Sequence, residues 1–166
     1  MAEEPKALGS WAAVDESVRE TIREYGWTLF QIPGKSSLLP WLRKPPWAYT
    51  VGLFHTYAQP EIVIVGVEGP IASRILQDFK DRIKGGEKLE TGKEYIEFLE
   101  SHNCVFRPVD RSHYGKRLQA ANTFYREREF PAVQLVWSDP QGRYPWDEGS
   151  EFEKRLKGFQ PLLFKS

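Results

Sequence analysis

Glu61-Ile-Val-Ile-Val-Gly-Val67 is almost wholly branched aliphatic, a composition that suits a strand covered on both faces. Pro60 stands at its start, where a missing N–H costs the ladder least, so 61–67 reads as a central strand. Just upstream, Trp47-Ala-Tyr-Thr-Val-Gly-Leu53 alternates, with Trp47, Tyr49, Val51 and Leu53 on one side and the smaller Ala48, Thr50 and Gly52 on the other. The two runs read as hairpin partners. Downstream, Pro70 suits a first helical turn, and Ile71, Ile75, Leu76, Phe79 and Ile83 form a stripe ending at Gly85-Gly86. That pattern predicts a helix over 70–84.

Working outward, Trp11, Val14, Val18, Ile22 and Tyr25 recur every three or four residues ahead of Gly26, which predicts a helix over 11–25. A strand follows at 27–32, closed by Pro33-Gly34, and then a proline-rich loop over 35–46 ordered by Trp41. Residues 95–99 fit a short helix or an edge strand equally well. Strands are expected at 104–109 and 132–137, with a helix over 112–128 between them through Leu118, Ala121, Phe124 and Tyr125. Helices alternating irregularly with strands imply an α+β fold: one domain over 11–160, a mixed sheet of about five strands with about three helices packed on it. A flexible leader over 1–10 and a C-terminal tail over 161–166 complete the chain.

The 166 residues suffice for a single core without a disulfide or metal staple. Lys plus Arg and Asp plus Glu both total 23, so no global field draws the chain to nucleic acid or anionic lipid. No run approaches the length of a membrane span. The one cysteine, Cys104, cannot close an internal disulfide, and the N-terminus lacks a secretion signal. A cytoplasmic address follows.

Chemistry-bearing motifs are few. His102, Cys104 and His113 match no zinc spacing, there is no nucleophile elbow, and Gly85-Gly86 follows a helix instead of opening one. Neither metal nor cofactor is implied. The basic stretch 107–128 reads as a solvated helix face, which disfavours nucleic acid. The most unusual stretch runs from Pro131 to Gly149. Within it Asp139-Pro-Gln-Gly142 has β-turn chemistry that would gather Trp137, Tyr144 and Trp146, with Asp139, Asp147, Glu148, Glu151 and Glu153 around them. Such a corner is either a core-packed hairpin or a recognition surface for a cationic partner.

Three segments, Pro46–Leu53, Gln59–Gly66 and Phe130–Asp147, resemble a bacterial family of domains of unknown function, numbered 4262, over about residues 15 to 150. This sequence has Ala58-Gln59 before Pro60 where the family pattern would set a histidine beside the proline, and His55 stands earlier. The resemblance implies a compact α+β domain and transfers no activity. It points to Tyr49, Thr50, Gly52, Glu61, Gln134, Trp137, Asp139, Arg143, Trp146 and Asp147 as residues on strands or turns that can converge.

Two functions compete. The first is a non-catalytic binding protein that neutralises a protein partner, as immunity proteins do, with Tyr49, His55, Glu61, Trp137, Asp139, Arg143, Tyr144, Trp146 and Asp147 as binding residues. The second is a small hydrolase or ligand-processing enzyme in which Glu61, Asp139 or Asp147 works with His55 as proton carrier. Acids and tryptophans lining a pocket would favour the enzyme, and an open patch the binder. The sequence sets no oligomeric state.

Overall fold

The computed structural model describes residues 11–126 and 128–165. The expected leader at 1–10 lies outside them, as do the side chains of Trp11 and Val14. The elements in chain order are α1 (Trp11–Tyr25), β1 (Thr28–Ile32), β2 (Trp47–Val51), α2 (Leu53–Tyr57), β3 (Glu61–Val65), α3 (Gly69–Lys84), β4 (Glu94–Leu99), β5 (His102–Pro108), α4 (Tyr114–Arg117), α5 (Gln119–Tyr125) and β6 (Ala132–Trp137). The strands form one mixed sheet in the order β1-β2-β3-β6-β5-β4. All neighbours are antiparallel except β3 and β6, which run parallel with Glu61 opposite Ala132 and Ile64 opposite Leu135.

Both faces of the sheet are covered, which is why β3 carries no polar side chain after Glu61. Ile62 and Ile64 join Ala48, Phe106, Val133 and Leu135 beneath α3, where Ala72, Ile75, Leu76 and Phe79 complete one core. Val63 and Val65 turn the other way and meet Tyr49, Val51, Val18, Ile22, Leu118, Ala121 and Tyr125 under α1, α4 and α5. The C-terminal segment closes that second core. Leu163 is fully buried, and the Gln134 side chain donates to the Pro161 carbonyl (2.9 Å) while accepting from Leu163 N–H (2.8 Å).

The α+β mixed sheet is as the sequence implies, and residues 95–99 resolve as part of edge strand β4. Several local expectations differ. The strand expected to run to Leu53 ends at Val51, because Gly52 takes φ +108° and a side chain there would meet the Gly26 carbonyl. Leu53 then opens α2, which the sequence reading missed, and buries itself in the α3-side core. The expected hairpin is thus an antiparallel pair whose connection carries a helix. The helix read over 112–128 is broken: a 3-10 turn at Arg111–His113 and α4 precede α5, and the break falls at fully buried Leu118 with φ −130°, ψ 41°. Tyr25, placed on the buried face of α1, is 64% exposed. Trp41 does not anchor its loop by burial, being 76% exposed. That loop closes instead through its backbone, where Lys35 and Lys44 exchange both hydrogen bonds (2.8 and 2.9 Å).

Candidate functional site

Glu61 begins β3 with its carboxylate entirely sequestered. Oε2 accepts from the Thr50 hydroxyl (2.6 Å), and Oε1 accepts from Gly52 N–H (2.9 Å), Phe54 N–H (3.2 Å) and the Tyr125 hydroxyl. Two of these donors are unpaired amides at the start of α2, so a carboxylate there answers both their hydrogen-bonding need and the helix dipole. Thr50 in turn accepts from Ile62 N–H (2.9 Å), which ties the node to the strand ladder. Burial pushes the Glu61 carboxyl above its ordinary value, with the four donors offsetting only part of that rise. Burial and the neighbouring carboxylate also raise Tyr125, so its hydroxyl stays protonated and donates.

Tyr125 is the link between the node and the surface. Its oxygen accepts from His55 N–H (3.2 Å) while its hydrogen goes to Glu61. Tyr125 lines an open cleft of about 660 Å³ together with Arg19, His55, Phe124, Arg126 and Arg128. The His55 imidazole stands edge-on to Phe124 at 5.6 Å, and Arg19 and Arg126 share Asp15 (3.0 and 3.2 Å). His55 and Glu61 are therefore neighbours, as an acid–base pair would require, but the contact runs through the His55 backbone and a tyrosine that has already committed both its donor and its acceptor roles.

The 137–147 corner separates into two parts on opposite faces of the sheet. Val136 shares a cluster with Tyr144, so its neighbour Trp137 must point the other way. There the Trp137 indole donates to the Val65 carbonyl (2.8 Å) and packs on His102 and Phe152. Tyr144 is buried and stacks on Trp146 at 5.1 Å. Trp146, 40% exposed, also meets Phe164 and lies under the Arg107 guanidinium at 5.0 Å. The expected turn forms, with Gly142 N–H on the Asp139 carbonyl (2.9 Å).

The acids of this corner organise loops. Asp139 is buried and accepts from Gln141 N–H and Arg143 N–H (both 2.9 Å) and from Glu151 N–H (3.0 Å). Burial alone would raise its carboxyl, and these amides with Arg143 reverse the sign, leaving it below the ordinary range. Asp147 accepts from Tyr144 N–H (2.7 Å), and Arg143 reaches the Gly149 carbonyl (2.8 Å). Tyr49 is likewise internal: its ring stacks on Phe30, and its hydroxyl accepts from Ala120 N–H (3.1 Å) at the start of α5.

The structure therefore gathers Glu61, Thr50, Gly52 and His55 around Tyr125, and gathers Tyr144, Trp146, Asp139, Arg143 and Asp147 in a separate corner. Gln134 holds the C-terminal segment and joins neither. Sequence reading treated Tyr125 as plain helix core. Its signal was chemical: a buried tyrosine needs a partner for its hydroxyl, and a glutamate opening an apolar strand needs donors. Cys104 is buried beneath α3, and burial pushes its thiol far up. Among the described residues no three of His, Cys, Asp and Glu gather as a metal site would require, and no helix is long and apolar enough to cross a membrane.

In comparison with known proteins a family model matches the chain. The family model described as "Domain of unknown function (DUF4262)" covers residues 21–151, from the middle of α1 through the 137–147 corner. No curated protein and no solved structure matches.

Proposed function

The chain belongs to the DUF4262 family, whose description carries no activity, and on that footing we propose that it is a non-catalytic binding domain of the bacterial cytoplasm that engages a protein partner. The observation supporting this reading is that two of the three candidate carboxylates, Glu61 and Asp139, are buried and committed inside the fold. Glu61 takes four donors and Asp139 three backbone amides, while half-buried Asp147 accepts the amide of Tyr144 through one oxygen. A general base must reach the proton it removes and must have a lone pair free for it. Glu61 reaches the cleft only through Tyr125, and none of the corner residues lines that cleft. Neutralisation of a partner, as by an immunity protein, is the use that asks least of such a surface.

The test is incubation of the purified chain with a small-molecule extract of its native cytoplasm, followed by untargeted mass spectrometry. The expected result is that no compound is consumed, while affinity capture with the same protein recovers a partner that rebinds when purified. Consumption of a compound by the wild type, abolished in a folded Glu61→Gln variant, would overturn the reading.

A further inference from the structure

A groove of about 1390 Å³ lies between the 33–47 loop and residues 154–159. It exceeds the roughly 300–1,000 Å³ typical of small-molecule pockets, so its size suits a length of chain. Its walls are built. Lys35 and Lys44 close the loop through their backbones, and the Arg43 side chain donates to the Ser37 carbonyl (2.8 Å). The opposite wall sits on Gly66, whose φ of +85° and missing side chain admit the Phe159 carbonyl, against which any Cβ would collide.

Its charge departs from that of the whole molecule. Lys35, Arg43, Lys44, Lys154, Arg155 and Lys157 line the groove against the single acid Glu68, in a chain whose charges sum to zero over its whole length. Arg155 pairs with Glu151 (3.4 Å). Among the described residues none of the other five cations forms an ion pair. Exposed apolar side chains lie along the same groove: Leu38 at 97%, Trp41 at 76% and Phe159 at 43%. Trp41 and Leu38 are not held by the core, so their exposure is a property of the loop that the backbone bridge presents.

From this juxtaposition we infer that the groove docks an extended acidic segment of a protein partner, its carboxylates against the unpaired lysines and arginine and its apolar side chains against Trp41 and Phe159. Aromatic anchors ringed by unpaired charge are the usual makings of an interface hot spot, and the charges steer association. A polypeptide fits better than a nucleic acid strand. Leu38 offers nothing for a base to stack on, and because the whole chain is neutral the surface outside this cationic groove carries the balancing net negative charge, which opposes a long polyanion. The inference rests on the binding reading above and fixes its surface and the sign of the partner's charge.

A random peptide library displayed on phage, selected against the full chain, tests it, with single-stranded oligothymidylate titrated in parallel. Acidic peptides carrying one or more large apolar residues should be enriched. Their affinity should fall steeply with salt and drop by about tenfold or more in Trp41→Ala and in Lys44→Glu. Thermal midpoints should hold, and Lys93→Glu, outside the groove, should bind as wild type does. Enrichment of basic or neutral peptides, or no enrichment, overturns the inference, as does oligothymidylate binding tighter than any peptide. Acidic peptides that bind equally well to both groove variants would also overturn it, while leaving the broader binding reading intact. Turnover of a metabolite would remove that broader reading whatever the groove binds.

Discussion

Replacing Glu61 discriminates between a reactive carboxylate and a structural one. In Glu61→Ala two backbone N–H groups, of Gly52 and Phe54, and two hydroxyls, of Thr50 and Tyr125, lose their acceptor together. A buried donor left unpaired costs about 1–3 kcal/mol, so four of them sum to about 4 kcal/mol at the low end of that range, a large share of the roughly 5–15 kcal/mol of a typical domain. Glu61→Gln should behave differently. Its amide oxygen can keep the three donors of Oε1, and its NH₂ can face Thr50 Oγ1, which can turn to accept; the loss should stay below about 2 kcal/mol. The pH dependence separates charge from acceptor. Because burial holds the folded Glu61 carboxyl above its unfolded value of about 4.3, the native state keeps its proton where the unfolded chain has released it. Wild-type stability therefore falls as pH rises through that window, and Glu61→Gln, which cannot titrate, lacks this contribution and gains on the wild type as pH rises. Urea titration followed by tryptophan fluorescence at several pH values measures all three proteins. An alanine variant within about 1 kcal/mol of wild type, or a glutamine variant as damaged as the alanine one, would refute the reasoning.

Ile64→Ala should cost about 2–5 kcal/mol by the same titration, since Ile64 is fully buried in the second of the sheet's central strands from its β1 edge toward β6. Trp146→Ala should cost about 1–3 kcal/mol, less than a core tryptophan, because one side of the ring remains in water while Tyr144, Phe164 and Arg107 hold the rest; a thermal midpoint that does not move would show that the stack is idle. Cys104 should react with a thiol probe only as fast as the protein unfolds, and rapid labelling at neutral pH would contradict its burial beneath α3.

Periodicity made most of the fold legible. The stripe Ile75, Leu76, Phe79 and Ile83 gave α3, and the aliphatic run after Glu61 gave a central strand, because burial on two faces leaves no room for polar side chains. What escaped was set by single residues acting across the chain. At Gly52 a positive φ ends β2 where the Gly26 carbonyl leaves no room for a side chain, and Glu61 receives the amides of Gly52 and Phe54 at the start of α2. Whether 95–99 is helix or strand was undecidable from a pattern of five residues and was settled by pairing with β5. The candidate site was half legible: Glu61 and His55 were both marked and are neighbours, yet Tyr125, the residue joining them, carries the same periodic signal as any core aromatic. Trp137 and Trp146 fell on opposite faces because β6 ends between Trp137 and the turn, and strand alternation assigns Trp137 to the α3 side.

Native-state hydrogen exchange at the amides of Gly52 and Phe54 is the most direct test of the central claim, that Glu61 is a locked acceptor, on which the proposed binding role rests. Both amides should exchange only through unfolding of the whole domain, with protection equal to that of Val63 and Ile64 in β3 and lost together with it in urea. Exchange much faster than in β3 would mean that Glu61 lets go of them in the folded state, and would return it to consideration as a catalytic carboxylate.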